Sequence, residues 1–326
     1  MIPNPENARK IIGQATDVVI FTHIRPDGDA IGSSLAMYRY LMQKGKKVRM
    51  IVPNSYPVYY GWIDGIKEMI VFEKNEAEAI KAIKEADLFI HLDHNELGRI
   101  SAARPIMENL KTKRMVIDHH INQQIPCDYE YSDPKSPATC ELVYHFIHDL
   151  DGEQAIDKKM AEYIMLGIIT DTGGLAFSAN SPELYRVVAA LMEKGVDKNE
   201  LQIKAFHTYT KERFALMTYC LQKMEILPDG HTALMSLSRE ELMRFDYHVG
   251  DLDSFVNLPL QMTDINRTVL LREDKDGINI SFRSEGDNPV NTIAGLFGGG
   301  GHKNAAGCEM EVSLKEAVER IKKVMR

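Results

Sequence analysis

The sequence predicts an α/β protein: an N-terminal domain on a parallel sheet with helices on both faces, a linker helix, and a smaller C-terminal α/β domain. Three observations lead there. Apolar strand-like runs alternate with helical patterns through the first 195 residues, the order that places crossover helices on a parallel sheet. Acids and histidines stand at the ends of those runs, at His23, Asp27, Asp29, Asp93 and Asp118-His119-His120. Beyond Met224 the pattern changes, and Asp276-Gly277 separates two strand-like runs as a hairpin turn does. The predicted bounds are 1–195 for the first domain, 196–222 for the linker helix and 223–326 for the second domain.

Residues 4–14 read as a short opening helix. Val18-Val19-Ile20-Phe21 reads as a buried strand, and Ala30 to Met42 as the helix after it. Between them lies His23-Ile24-Arg25-Pro26-Asp27-Gly28-Asp29, on a strand-to-helix turn of the kind that binds ligands in open sheets. Further strands are expected at Lys47–Val52, Val71-Phe72, Asp87–Asp93 and Arg114–Ile117. Helices are expected at Glu76–Glu85, Leu97–Leu110 with an interruption at Pro105, from Ser136 to Leu150, Lys158–Ile169 and Ser181–Lys194. The last but one runs into Thr170-Asp171-Thr172-Gly173-Gly174, a loop that would bring Asp171 over the sheet edge. Residues 196–222 read as one charged linker helix. In the second domain, Thr232–Ser238, Arg267–Arg272 and Ile278–Arg283 are strand-like, with helices at Arg239–Arg244, Asp251–Met262, Val290–Phe297 and Leu314–Met325.

A length of 326 residues favours two domains, and 44% hydrophobic with 26% charged residues is ordinary for a soluble globular chain. The net charge is −8, of which residues 223–326, with 13 basic and 17 acidic side chains, carry −4. Neither part is basic, which argues against tight binding of long duplex nucleic acid. A short anionic substrate remains compatible. The four cysteines form no CxxC pair and read as free thiols in a reducing compartment. No secretory leader and no membrane span is evident, so a cytoplasmic protein without membrane partners is expected.

A lone Asp after a strand is usually a turn residue or helix cap. His23, Asp27, Asp29, Asp93, Asp118, His119 and His120 together, joined by Asp171, are a different matter, because parallel strands share one carboxyl edge. So many like charges repel unless a cation joins them. Mixed imidazole and carboxylate donors suit Mn, Fe, Zn or Co better than Ca. The number of donors exceeds one ion's needs, so two metals sharing a carboxylate are expected. Such pairs activate a water and stabilise the attacking and leaving oxygens at phosphorus. In the second domain, Gly298-Gly299-Gly300-Gly301-His302-Lys303 offers exposed amides and cations for a phosphate, with Arg283 nearby in sequence as a bidentate contact. His91, His145, His148, His207, His231 and His248 follow no usable pattern, and His94 is ambiguous.

These residues resemble a known family. HIRPDGDAIGSS, Asp93, Asp118-His119-His120 and the ITDTGG around Asp171 resemble the four motifs of the DHH phosphoesterase superfamily. GGGGHKNAAG resembles the signature of its associated DHHA1 domain. The compact length is similar to the branch of oligoribonucleases (nanoRNases) and 3′-phosphoadenosine 5′-phosphate (pAp) phosphatases, often labelled exopolyphosphatase-related. The resemblance implies two Mn²⁺ ions, with Mg²⁺ or Co²⁺ as substitutes. His23, Asp27 and Asp93 would hold one. Asp29, Asp93, His119 and Asp171 would hold the other, with Asp93 bridging. Asp118 would orient the histidine pair, and His120 would face the scissile phosphate and stabilise charge or protonate the leaving oxygen. Arg283, Gly299, Gly300, Gly301 and His302 would grip the substrate, a short RNA or a mononucleotide bisphosphate. Thr22 stands where some relatives carry an Asp. A homodimer is compatible with the family.

The implied function is a Mn²⁺-dependent phosphoesterase that cleaves short oligoribonucleotides and pAp. Three alternatives stay open at this point: a phosphodiesterase for linear dinucleotides such as pApA or pGpG, an exopolyphosphatase or pyrophosphatase, and a non-catalytic nucleotide sensor. The GGGGH run argues against the second, and the complete donor set against the third.

Overall fold

A computed structural model describes residues 1–325, and of His302 the backbone alone. The chain divides into two compact units, Met1–Thr208 and Tyr209–Arg326.

The first unit contains α1 (Pro5–Gln14), β1 (Asp17–Phe21), α2 (Gly28–Gln43), β2 (Lys47–Val52), β3 (Met69–Val71), α3 (Glu76–Glu85), β4 (Leu88–Leu92), α4 (Arg104–Glu108), β5 (Lys113–Asp118), β6 (Tyr129–Ser132), α5 (Thr139–Asp151), α6 (Lys158–Asp171), α7 (Pro182–Glu193) and α8 (Lys198–Phe206). Its six strands are all parallel, in the order β3-β2-β1-β4-β5-β6. Alternation along β1 explains the helices on both faces. Val18 and Ile20 join a core with Leu35, Val143 and Ile164, while Val19 and Phe21 join another with Ala79, Ile83 and Met107. The winding reverses between β1 and β4, so their carboxyl ends open a crevice at a topological switch point.

Helix α2 starts where the sequence places a turn acid. Asp27 is its N-cap and accepts from the amides of Asp29 and Ala30, both at 3.0 Å. Helices α2 and α6 pack backbone to backbone. A β-carbon on Gly28 would fall 2.4 Å from Thr170 Oγ1, and one on Gly32 would fall 2.4 Å from the Tyr163 carbonyl oxygen.

Several expectations are corrected. Asp171 is the last residue of α6, not part of a loop folded over the edge, because helical hydrogen bonding continues past Ile169. The span 97–110 is a 3₁₀ segment, Leu97–Ala103, followed by the short α4, which Pro105 opens instead of breaking. Strand β6, four residues at the sheet edge, has too short a run to be predicted. Residues 196–222 form two helices, α8 and α9 (Lys211–Gln222), separated at 207–210, where Thr210 caps α9 through its side chain.

The second unit continues with β7 (Glu225–Ile226), β8 (Thr232–Leu237), α10 (Arg239–Arg244), β9 (Arg267–Glu273), β10 (Ile278–Ser284), α11 (Asn291–Gly295), β11 (Gly300–His302), β12 (Ala305–Met310) and α12 (Leu314–Val324). These six strands run in the order β11-β12-β10-β9-β8-β7, antiparallel except for the parallel pair β8 and β9. One face packs on Ala317 and Ile321 of α12, the other on Leu216 and Cys220 of α9. The helix expected at 251–262 is a 3₁₀ segment, Phe255–Gln261, containing Pro259, which cannot donate a helical bond. Among the described residues no helix is long and apolar enough to cross a membrane.

Candidate metal centre

The carboxyl edge of the first sheet gathers its donors from β1, β4, β5 and the two helices α2 and α6. His23 follows β1 and is buried. Its Nδ1 lies 2.7 Å from the Ile24 carbonyl oxygen, which leaves Nε2 aimed inward, 3.3 Å from Asp93 Oδ2 and 3.8 Å from Asp27 Oδ2. Asp93 follows β4 with a left-handed backbone, φ 62, a conformation non-glycine residues seldom adopt. Its other oxygen, Oδ1, lies 3.4 Å from His119 Nε2. His119 Nδ1 is 3.2 Å from the Ser136 carbonyl oxygen, and its Nε2 is 3.4 Å from Asp171 Oδ2. Both imidazoles are therefore tied back by Nδ1 and present Nε2, the arrangement that orients a metal-ligating histidine.

Three groups of donor atoms result, each within 4.8 Å of one another: His23, Asp27 and Asp93; Asp29, His119 and Asp171; and Asp93, His119 and His120. All six residues expected to hold metal come together. The donor chemistry and its charge fit divalent ions. Burial, reinforced by the charges of Asp93 and Asp27, pushes the Asp29 carboxyl well above the ordinary range. Burial and the same neighbours, with Asp29 first among them, push Asp171 up as well. Asp93 goes the other way: the bond to His23 and the imidazoles of His119 and His120 outweigh its burial and hold it below the ordinary range. His23 is held above its ordinary value because Asp93 and Asp27 outweigh its burial. Carboxylates that cannot all ionise together, set among imidazoles, are what two dications would satisfy.

Asp118 sits at the end of β5 and accepts from His120 Nδ1 at 2.7 Å. It does not bond His119, which the Ser136 carbonyl orients instead, so Asp118 orients one histidine of the pair and not both. His120 Nε2 in turn faces Arg99, whose Nη1 lies 3.0 Å away. Thr139 donates its hydroxyl to Asp93 Oδ1 at 3.0 Å and its amide to Asp29 Oδ2 at 2.6 Å. The Cys140 amide donates to Asp29 Oδ1 at 2.9 Å. Asp29 thus caps α5, whose own N-cap, Ala138, offers no side-chain acceptor.

Sequence reasoning missed Arg99, Thr139 and Ser136. Arg99 lies six residues beyond Asp93, but its partner His120 is not near it in sequence. Thr139 was visible only as a helix start. Thr22 keeps a buried hydroxyl with no protein partner. The ambiguous His94 is buried behind the centre, its Nε2 2.9 Å from His91 Nδ1, and burial pulls its pKa down to about 4.

In the second unit Arg283 lies on β10, half-buried, with Nη1 donating to the Phe282 carbonyl at 2.9 Å. Burial lowers its pKa, which Asp253's charge opposes. The glycine run is partly strand and not wholly loop: Gly300 and Gly301 pair with Gly307 and Ala306. Gly301 has φ 135, and a β-carbon there would fall 2.5 Å from the Ala305 carbonyl oxygen. Gly299 leaves 2.2 Å to that of Gly307. Lys303 pairs with Asp287 at 2.9 Å. The His302 side chain lies outside what the structure describes.

A doubly wound sheet with this donor set at its switch point defines a metal-dependent phosphoesterase or nuclease, and comparison with known proteins agrees. The DHH family N-terminal domain matches residues 17–168 and the DHHA1 domain residues 233–326. The chain belongs to the DHH family and carries a DHHA1 domain. It is 29% identical over 313 residues, 95% of this chain and 89% of the relative, to the bifunctional oligoribonuclease and PAP phosphatase NrnA of Thermus thermophilus. The protein of the same name from Bacillus subtilis is 25% identical, with 90% and 89% covered. The crystal structure of an exopolyphosphatase-related protein from Bacteroides fragilis superposes with a TM-score of 0.93 at 38% identity, covering 98% of this chain and 95% of that one.

Proposed function

We propose that this protein hydrolyses short oligoribonucleotides and removes phosphate from pAp, with Mn²⁺ as its metal. The observation that carries the reading is Asp93, which turns one oxygen to His23 and the other to His119, as a carboxylate shared by two sites does. When bound, two such dications acidify a water and stabilise charge at phosphorus. Imidazole donors favour Mn²⁺ over Mg²⁺.

The remaining work falls to this chain's own side chains. His23 and His119 present fixed Nε2 atoms and need no rearrangement to take metal. Asp118 fixes the tautomer of His120 by accepting its Nδ1–H. His120 Nε2 then carries a lone pair toward Arg99, so in this arrangement it accepts a bond and does not protonate a leaving oxygen. We assign it to the edge of the scissile-phosphate site, where it holds the Arg99 guanidinium. Arg283 and the glycine backbone at Gly299, Gly300 and Gly301 are assigned to the rest of the substrate, a cationic group beside a strand with no side chains to keep a phosphate away. The two relatives named as oligoribonuclease and PAP phosphatase support this substrate class. The net charge of −8 supports short substrates over long duplex.

The test is turnover by the purified protein with Mn²⁺ on pAp, a 5′-phosphorylated diribonucleotide, pApA, pyrophosphate and a long RNA, with Asp93→Ala as control. Release of phosphate or mononucleotide from the first two, lost in the variant, is expected. Turnover of pyrophosphate alone would overturn the reading, and preference for pApA would move it to linear dinucleotides.

A further inference from the structure

Arg99 borders the donor centre of the first unit. It lies on the 3₁₀ segment after β4, half-buried, and its carbonyl accepts from the Ile24 amide at 2.9 Å, which ties it to the turn that carries His23. Its charge is close enough to His23 and His94 to oppose their protonation. Yet among the described residues it pairs with no carboxylate, although five aspartates crowd the centre. Three other partly buried arginines are neutralised, Arg49 by Asp17 and Glu85, Arg267 by Asp229 and Arg272 by Asp274, while Arg114 spends its guanidinium on the Met107 and Leu110 carbonyls. Arg99 instead gives one N–H to His120 Nε2. A neutral ring nitrogen is a weaker acceptor for a guanidinium than an anionic oxygen, and the planar fork has five N–H groups to offer.

We propose that Arg99 is a catalytic residue that binds a non-bridging oxygen of the scissile phosphate and rests on His120 when no phosphate is present. That cation belongs to the metal-binding unit itself. Phosphate arrival exchanges one hydrogen bond for another: Arg99 turns from His120 Nε2 to the anion. Asp118 keeps the ring in place throughout. The proposal rests on reading the centre as a phosphoesterase, not on which natural substrate it takes.

The experiment compares the full chain with R99A and R99K, each loaded with Mn²⁺. Mn²⁺ affinity is measured first, then the affinity for inorganic phosphate by calorimetry, then turnover of bis(p-nitrophenyl) phosphate with and without added guanidinium. Expected for R99A are Mn²⁺ affinity within about twofold of wild type, phosphate affinity lower by about 10-fold or more, and a lower kcat that guanidinium partly restores. R99K should keep part of the phosphate affinity, and it carries the test if R99A fails to fold. Unchanged phosphate affinity in R99A would overturn the proposal, as would a parallel fall in Mn²⁺ affinity, which marks a structural role. Absent phosphate binding in the wild type would also overturn it. If the wild type turns over neither pAp nor dinucleotides while phosphate binding still depends on Arg99, only the substrate reading fails.

Discussion

Gly167 and Asp29 are in such close register that a β-carbon on the glycine would lie 2.5 Å from Asp29 Oδ1. The same carbon would lie 2.2 Å from Cys140 Sγ. Helix α6 can pass the carboxylate and the start of α5 only because residue 167 has no side chain. Gly167→Ala is therefore expected to displace Asp29, lowering Mn²⁺ affinity, and to cost about 1–3 kcal/mol of stability from overpacking. Urea unfolding without metal, beside a Mn²⁺ titration, checks both; a variant of wild-type stability and affinity would contradict the packing described.

Thr139 makes a different prediction, because its hydroxyl and amide serve different acids. Thr139→Val removes the bond to Asp93 and leaves the amide on Asp29. Outer contacts of this kind typically carry 10- to 100-fold in metal affinity, so a loss of about that size is expected. Thr139→Ser should retain most of the affinity, since its hydroxyl can reach the same oxygen. Direct Mn²⁺ titration by calorimetry or spin resonance decides it.

The glycines of β11 lend themselves to a test that separates substrate from metal. Gly301→Ala meets both a positive φ and the Ala305 carbonyl, so the β11–β12 pairing is expected to distort. If the amides there bind substrate, KM rises while Mn²⁺ affinity stays unchanged. An unchanged KM would remove this strand from the substrate site.

Glu241 predicts a pH dependence away from the metals. Burial alone would raise its pKa, but the bonds from Lys223, Tyr219 and the Ser238 amide more than reverse that, taking it from 4.5 to about 2. The folded state thus binds this proton less readily than the unfolded chain. The stabilisation is present above about pH 4.5 and is lost as pH falls toward 2. Glu241→Gln should cost roughly 1–3 kcal/mol near neutral pH, with the gap to wild type narrowing between about pH 5 and pH 3. Unfolding curves across that range provide the measurement, and a constant gap would refute the assignment.

The parallel sheet and most of the centre were legible because β1, β4 and β5 are contiguous apolar runs with their donors at or just after their ends. His23, Asp93, Asp118, His119 and His120 could be placed by that rule alone. Asp171 could not, because nothing in ITDTGG tells a helix that continues from one that stops. Arg99 and Thr139 were hidden for another reason: their partners, His120 and Asp93, lie 21 and 46 residues away, and only the folded chain brings them together. The break at 207–210 escaped detection because the polar residues on either side suit helix and cap alike.

The amides of Thr139 and Cys140 close on Asp29 from behind, while its carboxylate faces the other donors in front. One acid therefore belongs to two structures at once, a helix start and an ion site. Whatever charge it carries at the front sets how firmly α5 is anchored at the back. Amide exchange in the first turn of α5 thus becomes an internal gauge of ion occupancy, readable without substrate and without turnover.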